Sequence, residues 1–458
     1  MSKLTLTAVV IAGLLSGCAS KIDEQQYQAD LQSFVAQTQI ATQLQGTDEL
    51  TWWQQLESAQ LNELVVKARA SNHNLKTSKL QLQSALERLG AQRAAYLPQG
   101  DVSIDASRTS LGNVQSRQSQ AGVNLDWQLD LFGKVTALVD GANAGAMSQA
   151  EQVRALQIEV VSSVVKGFVS YQGNLQKQQI INLQIEALTQ SIDVLKARVE
   201  EGVASELDLN RTLAQLKQQQ SLIPEIEYAR FRDLATLALL TGELPGDLLL
   251  DDESGLFSRD FTVSLTSPSD AIALRPDISR ALFEFSQANS FSVAASKALL
   301  PDISLTAFAG VISLGNNQLS NTQQQWQISP QIQWSLLSYP ALLAQRDAQQ
   351  YLTQAAYSQY QQVVLNAMSE SELSLQLLVK QNEQSSYAKE RFSYANNAFL
   401  QAQAMYQEGQ IPYLELLDAR QDVLIAQENA VDSTISSLLA KVDTYQVFNG
   451  RWSYALVN

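Results

Sequence analysis

Residues 198–208 read RVEEGVASELD and residues 406–418 read YQEGQIPYLELLD, and the second stretch repeats the pattern of the first. Each places a glycine at the end of a long helical pattern, with acidic residues on both sides of the glycine. Three pairs of residues are separated by the same 207 positions (for the first pair, 409 − 202 = 207): Gly202 and Gly409, Asp208 and Glu415, and Trp127 and Trp334. The chain is therefore a tandem duplication, and it predicts two equivalent halves.

A long helical pattern leads into each glycine, over about 135–201 and about 341–408. At about 1.5 Å per residue, each helix spans on the order of 100 Å. That length is typical of a coiled-coil or tubular assembly. Apolar residues before the first glycine recur at spacings of four and three, the seam of a left-handed coiled coil: Ile181, Ile185, Leu188, Ile192, Leu195 and Val199. Short turns at the two glycines then fold each helix back as an antiparallel hairpin, with Ser205 as N-cap and Pro412 in a first helical turn.

Ahead of each long helix, the spacing of the apolar residues changes from a helical repeat to every second residue. A helical pattern over about 56–96 stops at Pro98, and apolar residues then alternate with polar ones from Val102 to Leu131. The second half repeats this order after Pro301, although Pro330 counts against a central strand because proline lacks a backbone donor. We expect β-hairpins at about 99–132 and about 302–337, with strands long enough to cross a bilayer at a tilt.

The N-terminus has the features of a secretory signal. Lys3 precedes an apolar run that is too short for a permanent membrane span. Small residues stand directly before Cys18, the only cysteine, which resembles a bacterial lipobox and predicts lipidation of Cys18. Ser20 rather than an aspartate follows, which favours retention in the outer membrane. With one cysteine, no intramolecular disulfide can form.

Composition excludes several classes of function. Charged residues make up only 17% of the 458 residues and the net charge is −15, which argues against nucleic-acid binding. The single His73 has no nucleophile or ligand cluster near it in sequence, so we predict neither an enzyme nor a cofactor or metal site. After the signal, no segment approaches the roughly 20 apolar residues of a transmembrane helix. A membrane crossing would therefore require a barrel.

Four strands per chain cannot close a barrel, because small membrane barrels begin at about eight strands and open edges are not tolerated in lipid. Three chains would supply 3 × 4 = 12 strands. We predict an α+β membrane protein: a trimeric 12-stranded outer-membrane β-barrel continuous with a long periplasmic α-helical coiled-coil barrel. The predicted layout is a signal peptide (1–17), a lipidated N-terminal segment and belt (18–55), a first repeat (56–242), a linker or equatorial belt (243–267), a second repeat (268–448) and a C-terminal tail (449–458).

The chain resembles the TolC-type outer membrane factor family, in the lipid-anchored NodT-like branch found with resistance-nodulation-division pumps. The resemblance covers almost all of the mature chain. It is carried by the order of these segments: Trp52 and Trp53, Asn74 to Pro98, LDLFG at 129–133, both glycine turns, LRPDI at 274–278 and LLDA at 416–419.

This resemblance implies a homotrimer in the outer membrane that extends into the periplasm. It implies an exit duct for small molecules such as drugs or toxic compounds, which docks a periplasmic adaptor and an inner-membrane pump of the resistance-nodulation-division type. A duct for type I protein secretion or for metal ions is an alternative. A structural coiled-coil lipoprotein is another, but it leaves both alternating hairpins without a use.

In the family, the helical tips close the periplasmic end, and acidic residues ring the aperture. Asp208, Glu415 and Asp418 fall on those positions, and Tyr406 matches a tyrosine that helps to hold the closed tip in some relatives. The alternative is that these acids stabilise helix N-termini by a few tenths to about 1 kcal/mol, and that Tyr406 only packs at a helix end. Ile411 stands where such relatives have a basic residue, so no ionic latch is expected there.

The same tips supply candidate adaptor contacts, because small residues allow close approach of a partner. The candidates are Gly202, Val203, Ala204, Ser205, Gly409, Gln410, Ile411 and Pro412. The alternative is that the glycines serve only the turns.

Overall fold

The chain folds twice into helix, β-hairpin and long helical hairpin, and among the described residues the first series has one more helix before its β-hairpin. The computed structural model describes residues 49–111, 114–259, 263, 275–314 and 322–448. The helices are α1 (Ala59–Ser71), α2 (His73–Arg93), α3 (Lys134–Glu200), α4 (Glu206–Thr241), α5 (Pro276–Lys297), α6 (Tyr339–Gln407) and α7 (Tyr413–Phe448). The strands are β1 (Gln99–Leu111), β2 (Val114–Leu129), β3 (Asp302–Leu314) and β4 (Thr322–Gln333). The predicted signal peptide, Cys18 and the C-terminal tail lie outside the described residues.

The helical pattern predicted over about 56–96 is two helices, not one. Asn72 has an extended ψ of 120°, which ends α1, and its side chain accepts a hydrogen bond from the Leu75 amide at 3.0 Å, which begins α2. Its amide nitrogen also donates to the Leu240 carbonyl at 3.0 Å. A buried asparagine therefore caps one helix and fastens it to α4.

The main hydrophobic core joins the first repeat to the end of the second. Buried side chains from five parts of the chain meet there: Leu61 of α1, Phe168 of α3, Leu237 of α4, Leu248 of the linker and Val442 of α7. Trp52 stacks on Tyr445, with ring centroids 4.8 Å apart and an interplanar angle of 8°. Burial of side chains of this size contributes about 1.5–3 kcal/mol each, so the N-terminal segment and the linker are bound firmly to the helices.

The four strands form one antiparallel sheet in the order β1-β2-β3-β4. The middle pair, β2 with β3, joins the two repeats and places Gly122 opposite Gly310. Pro330 lies within β4 opposite Leu305. Within one chain β4 is an edge strand, which is where a missing backbone donor is tolerated.

The sheet has one apolar and one polar face. The apolar face is set by alternate residues such as Val102, Ile104, Val123, Leu125 and Trp326, which are exposed in the single chain. The opposite face carries Asn124, Asp126 and most of the glutamines of β4. This division is the pattern of a membrane barrel strand, apolar towards lipid and polar towards the lumen.

The junctions between sheet and helices repeat the same contact. The indole nitrogen of Trp127 donates to the Tyr96 carbonyl at 2.9 Å, and that of Trp334 donates to the Leu299 carbonyl at 3.1 Å. At the first junction, the Asp130 carboxylate accepts hydrogen bonds from the backbone amides of Val135 at 2.9 Å and Thr136 at 2.8 Å. The carboxylate thus caps the amino end of α3.

Replacing this cap gives a testable effect. Burial raises the pKa of Asp130, but hydrogen bonds from Thr136, Val135 and Lys134 outweigh it, and the net pKa lies below the ordinary value. A lowered folded-state pKa stabilises the fold above the unfolded value of about 3.9, and this stabilisation is lost as pH falls through the folded pKa. We expect Asp130→Ala to cost about 1 kcal/mol per chain at pH 7.

The measurement is the temperature at which the purified D130A trimer dissociates. The control is D140A, which removes an exposed carboxylate from α3 itself. The deficit of D130A relative to the wild type should shrink below about pH 4. An equal loss in D140A would contradict the capping role.

Candidate functional site

Both helical hairpins close with the same backbone turn. Gly202 and Gly409 have φ values of +71° and +74°. The Val203 amide donates to the Arg198 carbonyl at 2.9 Å, and the Gln410 amide donates to the Met405 carbonyl at 2.8 Å. These are Schellman-type closures, in which glycine adopts the left-handed conformation that other residues avoid. A Cβ atom on either glycine would meet nothing within 4 Å, so within one chain the glycines serve the turn.

The returning helices begin differently in the two tips. Ser205 caps α4, and its side-chain oxygen accepts from the Asp208 amide at 3.1 Å. In the second tip, α7 begins at Tyr413, so Pro412 stands just before the helix and not in its first turn. The Pro412 carbonyl accepts from the Glu415 amide at 3.2 Å. The Ser205 side chain and the Pro412 carbonyl therefore each accept a hydrogen bond from an amide in the first turn of a returning helix.

The three predicted aperture acids differ in their surroundings. Asp208 is half-buried in the first turn of α4, whereas Glu415 and Asp418 are exposed on α7. Glu415 and Asp418 are three residues apart, which places them on one side of the helix. Among the described residues, neither is in an ion pair with a basic side chain within 4.0 Å. The second tip thus presents two carboxylates to its surroundings.

The structure brings together a group of residues that the sequence did not reveal as a unit. The Arg198 guanidinium donates to the Tyr406 hydroxyl at 2.7 Å and lies 5.5 Å from the centre of that ring. Tyr406 packs against Tyr413 with ring centroids 5.5 Å apart, and the Tyr413 hydroxyl is 3.1 Å from the Thr212 hydroxyl. The tyrosine pair of the second tip therefore bridges α3 and α4 of the first hairpin.

A second bridge lies about two helical turns further from the tips. Arg420 donates to the Ser191 hydroxyl at 2.6 Å, and its guanidinium lies 5.5 Å from the ring centre of Phe399. Burial lowers the pKa of Arg420, an effect that Tyr413 opposes. Burial also raises the pKa of the Tyr413 hydroxyl. The nearby Tyr406 and Asp208 raise this pKa further, whereas the hydrogen bond with Thr212 and the charge of Arg420 lower it. Tyr413 therefore stays a neutral hydrogen-bonding group at physiological pH.

The candidate adaptor contacts are mostly on the surface of the single chain. Val203 is 70% exposed, and Gly202, Ser205, Gly409, Gln410 and Pro412 are also exposed. Ala204 and Ile411 are half-buried. Leu207 adds a further exposed apolar side chain beside Val203, at 59%. The end of the molecule is thus a small-residue surface with isolated apolar side chains.

The described residues contain neither a metal-ligand cluster nor a helix that could span a membrane. No group of three or more histidine, cysteine, aspartate or glutamate side chains is placed to hold a metal ion in this part of the chain. None of the described helices has a stretch long and apolar enough for a membrane span. His73 is exposed at the start of α2.

Solved structures share this fold. The outer-membrane channel OprN superposes with a TM-score of 0.80 at 23% identity, covering 90% of this chain and 97% of that one. The outer membrane protein VceC from Vibrio cholerae gives a TM-score of 0.78 at 18% identity, covering 87% and 98% of the two chains. These similarities confirm the predicted fold class of a trimeric barrel continuous with a helical tube.

Sequence comparison leads to the same group of proteins. The probable efflux pump outer membrane protein SepC of Pseudomonas putida is 25% identical over 97% of this chain and 96% of its own length. The cation efflux system protein CusC of Escherichia coli is 25% identical over 99% of this chain and 100% of its own length. The model of the outer membrane efflux protein family matches residues 64–243 and 267–449, one match for each repeat. Because those matches cover most of the chain and the fold agrees, this protein belongs to the outer membrane efflux protein family.

Proposed function

We propose that this protein is the outer-membrane exit duct of a tripartite efflux system that exports small molecules such as drugs or toxic compounds. The observation that carries the proposal is the continuity of a bilayer-length sheet with helices of 67 and 69 residues that end in paired tips. Such helices reach about 100 Å from the sheet, enough to bring the tips deep into the periplasm. Relatives described as toluene, antibiotic and solvent efflux proteins support this choice of cargo.

The partners in this proposal are two further copies of the chain, a periplasmic adaptor, and an inner-membrane pump of the resistance-nodulation-division type. The adaptor contacts the exposed tip residues around Val203 and Gln410. Acyl chains on Cys18 anchor the protein in outer-membrane lipid. The mass of the mature N-terminal peptide tests this anchor directly. An N-terminal peptide without the mass of acyl chains would exclude the anchor.

The experiment for the main proposal is export from cells. A host lacking its own outer-membrane duct receives this chain together with its adaptor and pump, and the rate of loss of a preloaded fluorescent dye is measured. We expect wild-type protein to restore export. Normal trimers in the outer membrane without any gain in export of dyes, antibiotics or solvents would contradict the proposal. Restored metal tolerance without restored dye export would favour the metal-ion alternative, for which CusC is the precedent.

The acids of the second tip supply the charge at the aperture in this proposal. Three chains would bring six carboxylates, from Glu415 and Asp418, around one narrow opening. Rings of like charge in a constriction favour entry of the opposite charge and repel one another. Cations are therefore favoured, and the tips separate more easily when the carboxylates are charged.

A double substitution tests this role. Because the field of six charges amounts to several kT, we expect E415Q/D418N to lower the cation-to-chloride permeability ratio several-fold. The measurement is the reversal potential of single channels in planar bilayers under a salt gradient. The control E63Q/E87Q removes the same number of exposed charges far from the tips. Unchanged selectivity in E415Q/D418N, or an equal change in the control, would leave these acids as helix-stabilising groups.

A further inference from the structure

The four long helices of one chain pack side by side in the order α6-α7-α3-α4. Helices α6 and α4 are therefore the outer two, and each has one side that no other long helix covers in the described part of the chain. A tube built from copies of this set closes only if α4 of one copy meets α6 of the next. The uncovered sides of α4 and α6 are thus the surfaces along which the helices of two copies can meet.

Within one chain, the contact between α7 and α3 shows how the second repeat docks on the first. Ile435 of α7 packs so closely on Gly173 of α3 that a Cβ atom on this glycine would lie 2.5 Å from the Ile435 Cδ1 atom. Ile435 and Leu438 are consequently only 9% and 7% exposed. Four polar contacts fix the register of the two helices: Lys166–Asp443, Lys177–Asp432, Gln184–Gln427 and Ser191–Arg420.

The two helical hairpins correspond residue by residue. Helices α3 and α6 end at Glu200 and Gln407 (407 − 200 = 207), and α4 and α7 end at Thr241 and Phe448 (448 − 241 = 207). The same offset at both positions means that no net insertion separates the repeats between them. Each contact of α7 with α3 therefore has a counterpart position between α4 and α6.

The second hairpin has an open groove at the position that α7 covers on the first. This groove lies between α6 and α7 and has a volume of about 620 Å³. Its rim includes Tyr387 and Tyr394, which are 69% and 73% exposed. Arg391 also lines it, at the position equivalent to Gln184 of α3 (184 + 207 = 391). Since Gln184 bonds Gln427 of α7 at 2.9 Å, the open groove is the counterpart of an occupied one.

Helix α4 exposes the positions that α7 uses to dock. Subtracting the offset from Ile435 and Leu438 gives Tyr228 and Phe231 (435 − 207 = 228 and 438 − 207 = 231). Tyr228 and Phe231 are 68% and 58% exposed, whereas their two counterparts on α7 are buried. They are three residues apart and therefore share one face of α4. Exposed aromatic side chains on one face of an outer helix indicate a surface that a partner covers.

We propose that the groove between α6 and α7 is the docking site for α4 of a neighbouring copy, in the register that α7 adopts on α3. Arg391 then lies opposite the partner subunit's Gln220 (427 − 207 = 220), and its guanidinium donates to the side-chain oxygen of that glutamine. Lys380, the counterpart of Gly173 (173 + 207 = 380), lies beside the partner subunit's Tyr228. An ammonium group in that position is attracted to the face of the ring.

The charges of the two surfaces identify a copy of this chain as the occupant. The groove is lined by the carboxylates of Glu390 and Asp422. Helix α4 exposes Lys217 at the position of the buried Leu424 (424 − 207 = 217). A lysine thus replaces a leucine on the helix that meets the acidic groove, and the same helix carries the two exposed aromatic residues.

The test is chemical cross-linking of the full-length chain in outer-membrane fractions. Tagged R391C and untagged Q220C are produced together, so only a contact between copies can join the two cysteines. We expect a short bis-maleimide to link the tagged to the untagged chain at least about tenfold more than when K380C replaces R391C. Lys380 lies eleven residues from Arg391 (391 − 380 = 11), which is about 16 Å along α6.

Two controls complete the experiment. Tagged R391C with untagged wild type gives the background, which includes any linkage through Cys18. Q184C/Q427C in one chain should be linked within that chain, because these positions already contact each other at 2.9 Å.

The docking register rests on the three-copy duct proposed above, and the outcomes separate the two. Equal linkage of Q220C to R391C and to K380C would overturn the register, as would linkage of R391C to a protein other than this chain. Protein that migrates as a monomer in native gels would overturn the duct as well. Trimers that restore dye export without the specific link would overturn only the docking site.

Discussion

Gly310→Ala should prevent assembly of the trimer. Gly310 lies at the centre of β3, opposite Gly122 on β2, where the two repeats meet. A Cβ atom added to Gly310 would lie 2.3 Å from the Ala121 carbonyl oxygen and 2.6 Å from the Gly122 Cα atom. Both are backbone atoms, so relief requires the strands to separate. Overpacking costs about 1–3 kcal/mol per site, and each trimer would contain three such sites.

The room beside the glycines is occupied by Phe308. Its ring would be 2.5 Å from a Cβ atom on Gly122 and 2.7 Å from one on Gly310. An aromatic ring that covers glycines in neighbouring strands excludes water from their exposed backbone. An alanine at position 310 would therefore clash with both the Phe308 ring and strand β2, and it has no free space into which to shift.

The measurement for Gly310→Ala is the yield of heat-resistant trimer in outer-membrane fractions, which should fall at least about tenfold for a loss of 1.4 kcal/mol or more. Gly90→Ala is the matched control, because a Cβ atom at Gly90 meets nothing within 4 Å and helix α2 favours alanine. Normal trimer yield for G310A would show that the sheet can widen there without cost.

Arg275→Gln should loosen the start of the second repeat. The Arg275 guanidinium is only 8% exposed and donates two hydrogen bonds to the Asp277 carboxylate, at 3.0 and 2.9 Å. It also donates to Glu370 of α6 and to the Val447 carbonyl of α7. Burial lowers the pKa of Arg275, but Asp277 and Glu370 together raise it above the ordinary value. One guanidinium therefore connects three helices of the second repeat.

Removing one partner of a buried ion pair costs about 3–5 kcal/mol, and we expect the lower end because Glu370 is largely exposed to solvent. Hydrogen exchange should rise at the start of α5 and at the end of α7 in R275Q. Arg275→Lys retains the charge without the fork and should be intermediate. R88Q, an exposed arginine of the first repeat, should exchange like the wild type. Unchanged exchange in R275Q would show that helix packing alone holds the junction.

The fold class could be predicted from the sequence because its signals are local or periodic. The equal spacing of Gly202 and Gly409, and of Trp127 and Trp334, revealed the duplication, and alternation revealed the strands. The break at Asn72 was missed because no proline or glycine lies beside it, so the helical pattern gives no sign of a side chain that caps within it. Strand β2 ends at Leu129, short of the predicted 132, because Asp130 turns to cap α3.

The candidate site was only partly predictable for a different reason. Tyr406 was identified, but its partner Arg198 is 208 residues away, and the contact of Tyr413 with Thr212 spans 201 residues. Such pairs depend on how two hairpins pack side by side, which no local pattern encodes. The aperture and adaptor residues stay predictions, since their roles depend on contacts with other chains.

The pairing of β2 with β3 also determines the order in which the protein can fold. Each hairpin closes between strands that are adjacent in sequence, whereas Gly122 and Gly310 are 188 residues apart (310 − 122 = 188). Contacts between residues so far apart in sequence form slowly, because closing the intervening loop costs conformational entropy before the contact contributes any stability. The first hairpin must therefore wait, with an unpaired edge, until the second repeat has been translocated. A periplasmic chaperone that covers strand edges would act in that interval, between export of the two halves.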